Sequence, residues 1–114
     1  MYSHILKNNM KETVIRYLPL FLDDLTEAVS YIRDTLQNDK SAYDLVNAVE
    51  EAIINRSNNP TAFEQYHSSK EREYPYYRIY VKNFIVYYVV IPDEPQIMEI
   101  RRFLYNRRNQ IAFL

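Results

Sequence analysis

Apolar residues recur along this chain in two rhythms, and the change from one to the other divides it. From Phe21 to Gln37 they fall at Phe21, Leu22, Leu25, Ala28, Val29, Ile32 and Leu36. This i, i+3, i+4, i+7 spacing lays one stripe along an α-helix. Asp23, Asp24 and Glu27 crowd its first half, where negative charge complements the helix dipole. Asn38-Asp39-Lys40 reads as a short turn. A second stripe of Ala42, Leu45, Val46, Val49, Ala52 and Ile53 predicts a helix starting at Ser41, with Asp44 three residues on as a capping-box partner. Two amphipathic helices joined so closely form an antiparallel hairpin.

Elsewhere the rhythm is that of strands. Thr13 to Leu18 is one, halted by Pro19. Tyr76–Val81 and Phe84–Ile91 are dense in β-branched and aromatic residues, which suit a pleated, half-buried surface. Only Lys82-Asn83 separates them. A two-residue hairpin turn needs positive φ, which Asn83 tolerates better than most residues. Pro92-Asp93-Glu94-Pro95 makes the next turn and Ile97–Leu104 the next strand. Thr61 to Tyr74 is polar without periodicity and reads as a loop. Residues 1–12 read as an N-terminal extension ahead of a single domain over 13–114. The order β-α-α-β-β-β predicts an α+β two-layer sandwich, a helical hairpin packed on a mainly antiparallel sheet that the first strand joins.

Composition narrows the function. A chain of 114 residues is long enough to bury a core without staples, and it has no cysteine for a disulfide or a thiolate metal site. No apolar run approaches the roughly 20 residues of a membrane span. MYSHILKNNM lacks the apolar centre of a secretion signal, so the expected location is cytoplasmic, with no membrane contact. With zero glycines the P-loop and dinucleotide cradles are excluded, and asparagines are left to serve most tight turns. His4 and His67 are isolated, and neither metal nor cofactor is expected. The formal charge of −1 hides an asymmetry: residues 1–69 hold 6 Lys+Arg against 10 Asp+Glu, and residues 70–114 hold 8 against 5. A basic end on an acidic body suits a polyanion met at one face.

The candidate chemistry lies at that basic end. Arg101 and Arg102 are strand neighbours and point to opposite faces. One of them shares the face away from the helices with Arg78 and Lys82, and Tyr105, Arg107 and Arg108 follow at the strand end. Arginine forks beside aromatic faces are what phosphate and stacked-base recognition require. The competing account is a solvated face with ordinary surface pairs. Tyr76, Tyr77, Tyr80, Tyr87 and Tyr88 read as sheet packing, and Asp23-Asp24 and Glu50-Glu51 as solvent-facing. Glu64, Glu71 or Glu73 is placed to reach the sheet as a base. Tyr105 qualifies as a proton donor or acceptor only if cations lower its pKa from roughly 10.

Two segments resemble the RelE/ParE superfamily, the toxins of type II toxin–antitoxin modules, also called plasmid stabilisation proteins. Tyr77-Arg78-Ile79 through Asn83-Phe84 to Tyr88 is similar to the family's YR-x-hydrophobic-x-x-N-aromatic-x-x-x-Y hairpin. Ile100-Arg101-Arg102-Phe103-Leu104-Tyr105-Asn106-Arg107-Arg108-Asn109 is similar to its closing I-x-R-x-L-H-G-R-R-D strand. The resemblance covers Thr13 to Asn109 and implies this same fold and a cognate antitoxin that wraps a segment over the basic face.

It implies two activities. RelE-like members are endoribonucleases that cut mRNA on the ribosome and arrest growth, whereas ParE-like members poison DNA gyrase without known catalytic residues. Carried over, Arg78 falls on a catalytic lysine and Arg108 on a catalytic arginine of the nucleases. The nuclease reading then makes Arg78, Tyr105 and Arg108 catalytic in attack by a 2′-hydroxyl on the adjacent phosphate. Lys82, Arg102 and Arg107 hold phosphate or RNA. The departures are Ile85 in place of an arginine, Leu114 in place of a C-terminal tyrosine, Tyr105-Asn106 in place of His-Gly, and Asn109 in place of Asp. The expectation is an mRNA endonuclease, with gyrase inhibition as the alternative and a degenerate, antitoxin-binding member as the third possibility.

Overall fold

The structure is a computed structural model that describes residues 12–66, 73–107 and 114. Strand β1 (Thr13–Tyr17) leads into helix α1 (Pro19–Ser30). Pro19 does more than halt the strand. It occupies the first helical turn, where its missing N–H costs nothing, and the Leu18 carbonyl accepts from Phe21 N and Leu22 N at 3.0 and 3.2 Å. The predicted single helix to Gln37 changes character after Ser30, because Tyr31–Thr35 winds as a π-helical turn. Gln37 ends it at φ 52°, the left-handed position that glycine usually fills.

Helix α2 (Asp39–Arg56) begins two residues before the expected Ser41. Asn38 is its cap: the side-chain oxygen accepts from Ser41 N at 3.0 Å, while Asp44 pairs with Lys40 one turn earlier instead of closing a capping box. Ala42, Leu45, Val49 and Ile53 are buried on one stripe, and Val46, expected among them, is exposed.

Part of the expected loop is a strand. The two-residue β2 (Gln65–Tyr66) pairs with the start of β3 (Tyr76–Val81). β4 (Phe84–Ile91) and β5 (Gln96–Tyr105) complete a five-stranded sheet of order β1-β5-β4-β3-β2. Only β1–β5 is parallel. The β3–β4 turn has its positive φ on Lys82, at 53°, and not on Asn83. The simple alternation assumed for Arg101 and Arg102 is broken by a bulge. Tyr88 faces Ile100 and Tyr87 faces Arg102, which leaves Arg101 as the extra residue.

The helical hairpin covers one sheet face around Phe21, Leu45, Ile79, Val86, Ile100 and Phe103. The opposite face, expected as an open basic surface, carries a second apolar cluster of Tyr76, Ile85, Tyr87, Val89, Leu104 and Leu114. β4 is therefore buried on both sides, as its unbroken apolar run FIVYYVVI allows. Of the five tyrosines read as packing, Tyr80 is the exception at 60% exposed. Among the described residues no helix is long and apolar enough to cross a membrane.

Candidate functional site

The sheet distributes the predicted site residues over two faces. Residues paired across antiparallel strands share a face. Arg78 pairs with Tyr87, and Tyr80 with Ile85, so both lie on the face away from the helices. Tyr105 pairs with Phe84, which packs into the helix-side core, so Tyr105 lies on the other face. There it edges onto the Phe84 ring at 5.5 Å and opens onto a cleft of about 760 Å³ between α1, the π turn and the sheet end. The floor is Ala28, Ile32, Phe84 and Phe103, and the rim carries Asp24 and Glu27. No cation is among the described residues that line it. An acidic-rimmed apolar cleft suits a basic or apolar segment and offers nothing to stabilise a phosphate.

Arg102 is committed elsewhere. Its Nε and Nη2 donate to the Asp24 carboxylate at 2.7 and 2.9 Å, and the same carboxylate accepts from Phe103 N at 3.0 Å. Asp24, read from sequence as solvent-facing, thus caps the β5 edge beyond the point where β1 ends. The hydrogen bond to Asp24 raises the Arg102 pKa further.

Lys82 at the turn and Arg107 beyond β5 are exposed, with no carboxylate partner among the described residues. Arg108, like Glu71, His67, His4 and Asn109, lies outside the described residues. Glu64 and Glu73 are exposed. No group of acidic, histidine or cysteine side chains that would hold a metal is found among the described residues.

Around Arg78 the structure assembles donors. Its guanidinium lies over the Tyr66 ring at 4.5 Å and near the Tyr80 ring at 5.8 Å. It has no carboxylate partner among the described residues. Tyr87, directly opposite, is 0% exposed, and its hydroxyl has no hydrogen-bond partner among the described residues. Burial pushes that phenol up to about 12. The neighbouring Tyr66 adds to the rise, and Arg78 works against it.

A second charged group was not legible in the sequence. Glu99 is buried on β5 and accepts from Arg16 Nε of β1 at 2.9 Å and from Arg101 Nε at 2.8 Å. Burial alone would raise its carboxyl, but the hydrogen bonds from Arg16 and Arg101 outweigh that and hold it below the ordinary carboxylate range. Arg56 of α2 ties the segment before β2 to the sheet. It stacks on Phe63 at 3.6 Å and donates to the Arg78 carbonyl oxygen and the Tyr88 hydroxyl at 3.2 and 2.9 Å. Tyr88 in turn donates to the Pro60 carbonyl oxygen at 2.7 Å.

With this geometry in place, comparison with known families gives one match. The profile described as ParE toxin of type II toxin-antitoxin system, parDE, matches residues 15–110. No curated protein matches the chain.

Proposed function

We propose, for a chain that belongs to the ParE toxin family of type II toxin–antitoxin systems, that it arrests growth by inhibiting DNA gyrase through surface contact, without cleaving nucleic acid, until its cognate antitoxin covers it. The family match supports this reading over the nuclease. The observation that carries it is the burial of Ile85 and Leu114, 2% and 6% exposed, in one apolar cluster. These are the positions where the resemblance to RelE-like nucleases calls for an arginine and a tyrosine. The Ile85 and Leu114 side chains supply neither a charge for a developing phosphorane nor a proton. Tyr105, the substitute acid, faces away from Arg78 across the sheet.

The nuclease reading stands second, on Arg78 alone, which has no carboxylate partner among the described residues. The deciding experiment is a supercoiling assay with purified gyrase beside in vitro translation of a reporter mRNA. Loss of supercoiling with translation intact is expected. Intact supercoiling at a molar excess of the chain, together with cut mRNA, would overturn the proposal and make Arg78, Tyr105 and Arg108 the residues to mutate.

A further inference from the structure

An open sheet ends in two edges, and those of this sheet are built differently. On β3, β2 covers Tyr76 and Tyr77, and the remainder carries Arg78 and runs into Lys82 at the turn. Charged side chains of this kind discourage pairing with another strand. On β5, Asp24 caps Phe103 N beyond the point where β1 ends. β1 itself has no such guard. Thr13-Val14-Ile15-Arg16-Tyr17 contains no lysine, proline or bulge, and its one charge is turned across the sheet to Glu99 on β5.

The backbone of β1 leaves one set of groups over. Leu18 N donates to the Ile100 carbonyl oxygen at 3.0 Å, so Leu18 turns its backbone toward β5. Alternate residues of an extended chain turn the same way. Val14 and Arg16 therefore bond β5, while the N–H and C=O of Thr13, Ile15 and Tyr17 point out of the sheet. No group among the described residues takes them.

These three residues are symmetric about Ile15. A second β1 laid antiparallel on the first sets Ile15 against its own copy and Thr13 against the partner's Tyr17. Each pair exchanges two hydrogen bonds, so every outward group of both strands is used. On the face away from the helices Val14, 44% exposed, then meets the partner's Arg16. Glu99 already neutralises that guanidinium, so its apolar stem lies along the valine without stranding a charge. No like charges stand opposite one another.

We infer that the outer edge of β1 is a self-association surface. Two copies join β1 to β1 across a two-fold axis at Ile15, giving one sheet with five strands from each copy. A pairing of five residues a side buries less than the roughly 1,000 Å² of a stable interface, so the dimer is weak and forms at high concentration. The pairing is independent of the gyrase reading, and neither result decides the other.

The test is sedimentation equilibrium of the full chain from about 1 μM to about 1 mM, with residue-resolved amide hydrogen exchange at both ends of that range. The mass should rise toward that of two chains. The Thr13, Ile15 and Tyr17 amides should exchange more slowly at high concentration, and those of Val14 and Arg16 should not change. Val14→Lys sets two like-charge pairs across the axis and should weaken association roughly 2- to 30-fold. Val14→Glu, which offers the partner's Arg16 the opposite charge, should keep or tighten it. Slow exchange of the amides at positions 14 and 16 in both variants checks that β1 is still in its sheet. A single chain mass over the whole range, or association indifferent to both charges, would overturn the inference. So would outward amides that slow only when the antitoxin is added, because the edge then serves an antitoxin strand.

Discussion

Asp24 and Arg102 join the two layers through a single carboxylate that takes two guanidinium hydrogen bonds and a strand N–H, at 2.7, 2.9 and 3.0 Å. Their side chains are 12% and 14% exposed, so solvent is a poor replacement for the partner. Asp24→Ala takes the carboxylate away from a largely buried guanidinium and should cost about 3–5 kcal/mol in urea unfolding. Asp24→Asn, which keeps an acceptor for Phe103 N, should cost less.

Tyr87→Phe should be neutral or stabilising, by up to about 1–2 kcal/mol, because it deletes a buried hydroxyl that no group among the described residues satisfies. The same phenol gives an alkaline signature. Its folded pKa of about 12 lies above the ordinary 10.0, so folding favours the neutral form. That contribution is full below pH 10 and is lost as the pH rises toward 12. Unfolding free energies measured on either side of that window should fall more steeply in the wild type than in Tyr87→Phe.

Glu99 gives the opposite sign. Its folded pKa lies below the ordinary 4.5, so its stabilisation is present above that value and fades as the pH falls through the folded pKa. Glu99→Gln should remove this acid sensitivity and leave Arg16 and Arg101 without their shared carboxylate. Arg16 is half-exposed, so the cost at neutral pH should be modest, about 1–3 kcal/mol. Acid titration of the unfolding midpoint for the two proteins checks both points.

Gln37→Gly should stabilise the fold by roughly 1 kcal/mol, because a residue with a Cβ holds φ 52° at the end of the first helix. A rise in thermal midpoint with unchanged toxicity is the expected result. A fall would mean that the Gln37 side chain makes up for its backbone.

The strand ends of β3 and β4 were legible to the residue, because aromatic and β-branched runs are cut sharply by Lys82-Asn83 and by Pro92. β2 was not, since two residues, Gln65 and Tyr66, carry no period. The π turn hid inside an apolar spacing that continues past Ser30. The site suffered most from ignorance of distant partners. Arg102 looked like a surface cation because Asp24 lies 78 residues away, and Arg16 and Glu99 are separated by 83. The bulge at Arg101 left no mark in the local sequence, yet it decides where both arginines go.

β1 lies at the sheet edge, with β5 as its one strand neighbour among the described residues. During synthesis the segment 13–17 must therefore wait for 96–100, a separation of 83 residues. At bacterial-scale elongation that wait is roughly 4 to 16 seconds. Throughout that interval the Arg16 guanidinium has no Glu99, and the α1 carboxylate at Asp24 has no strand edge to cap. The finished toxin is thus a late event in its own translation, and an antitoxin already present in the cell has those seconds of head start.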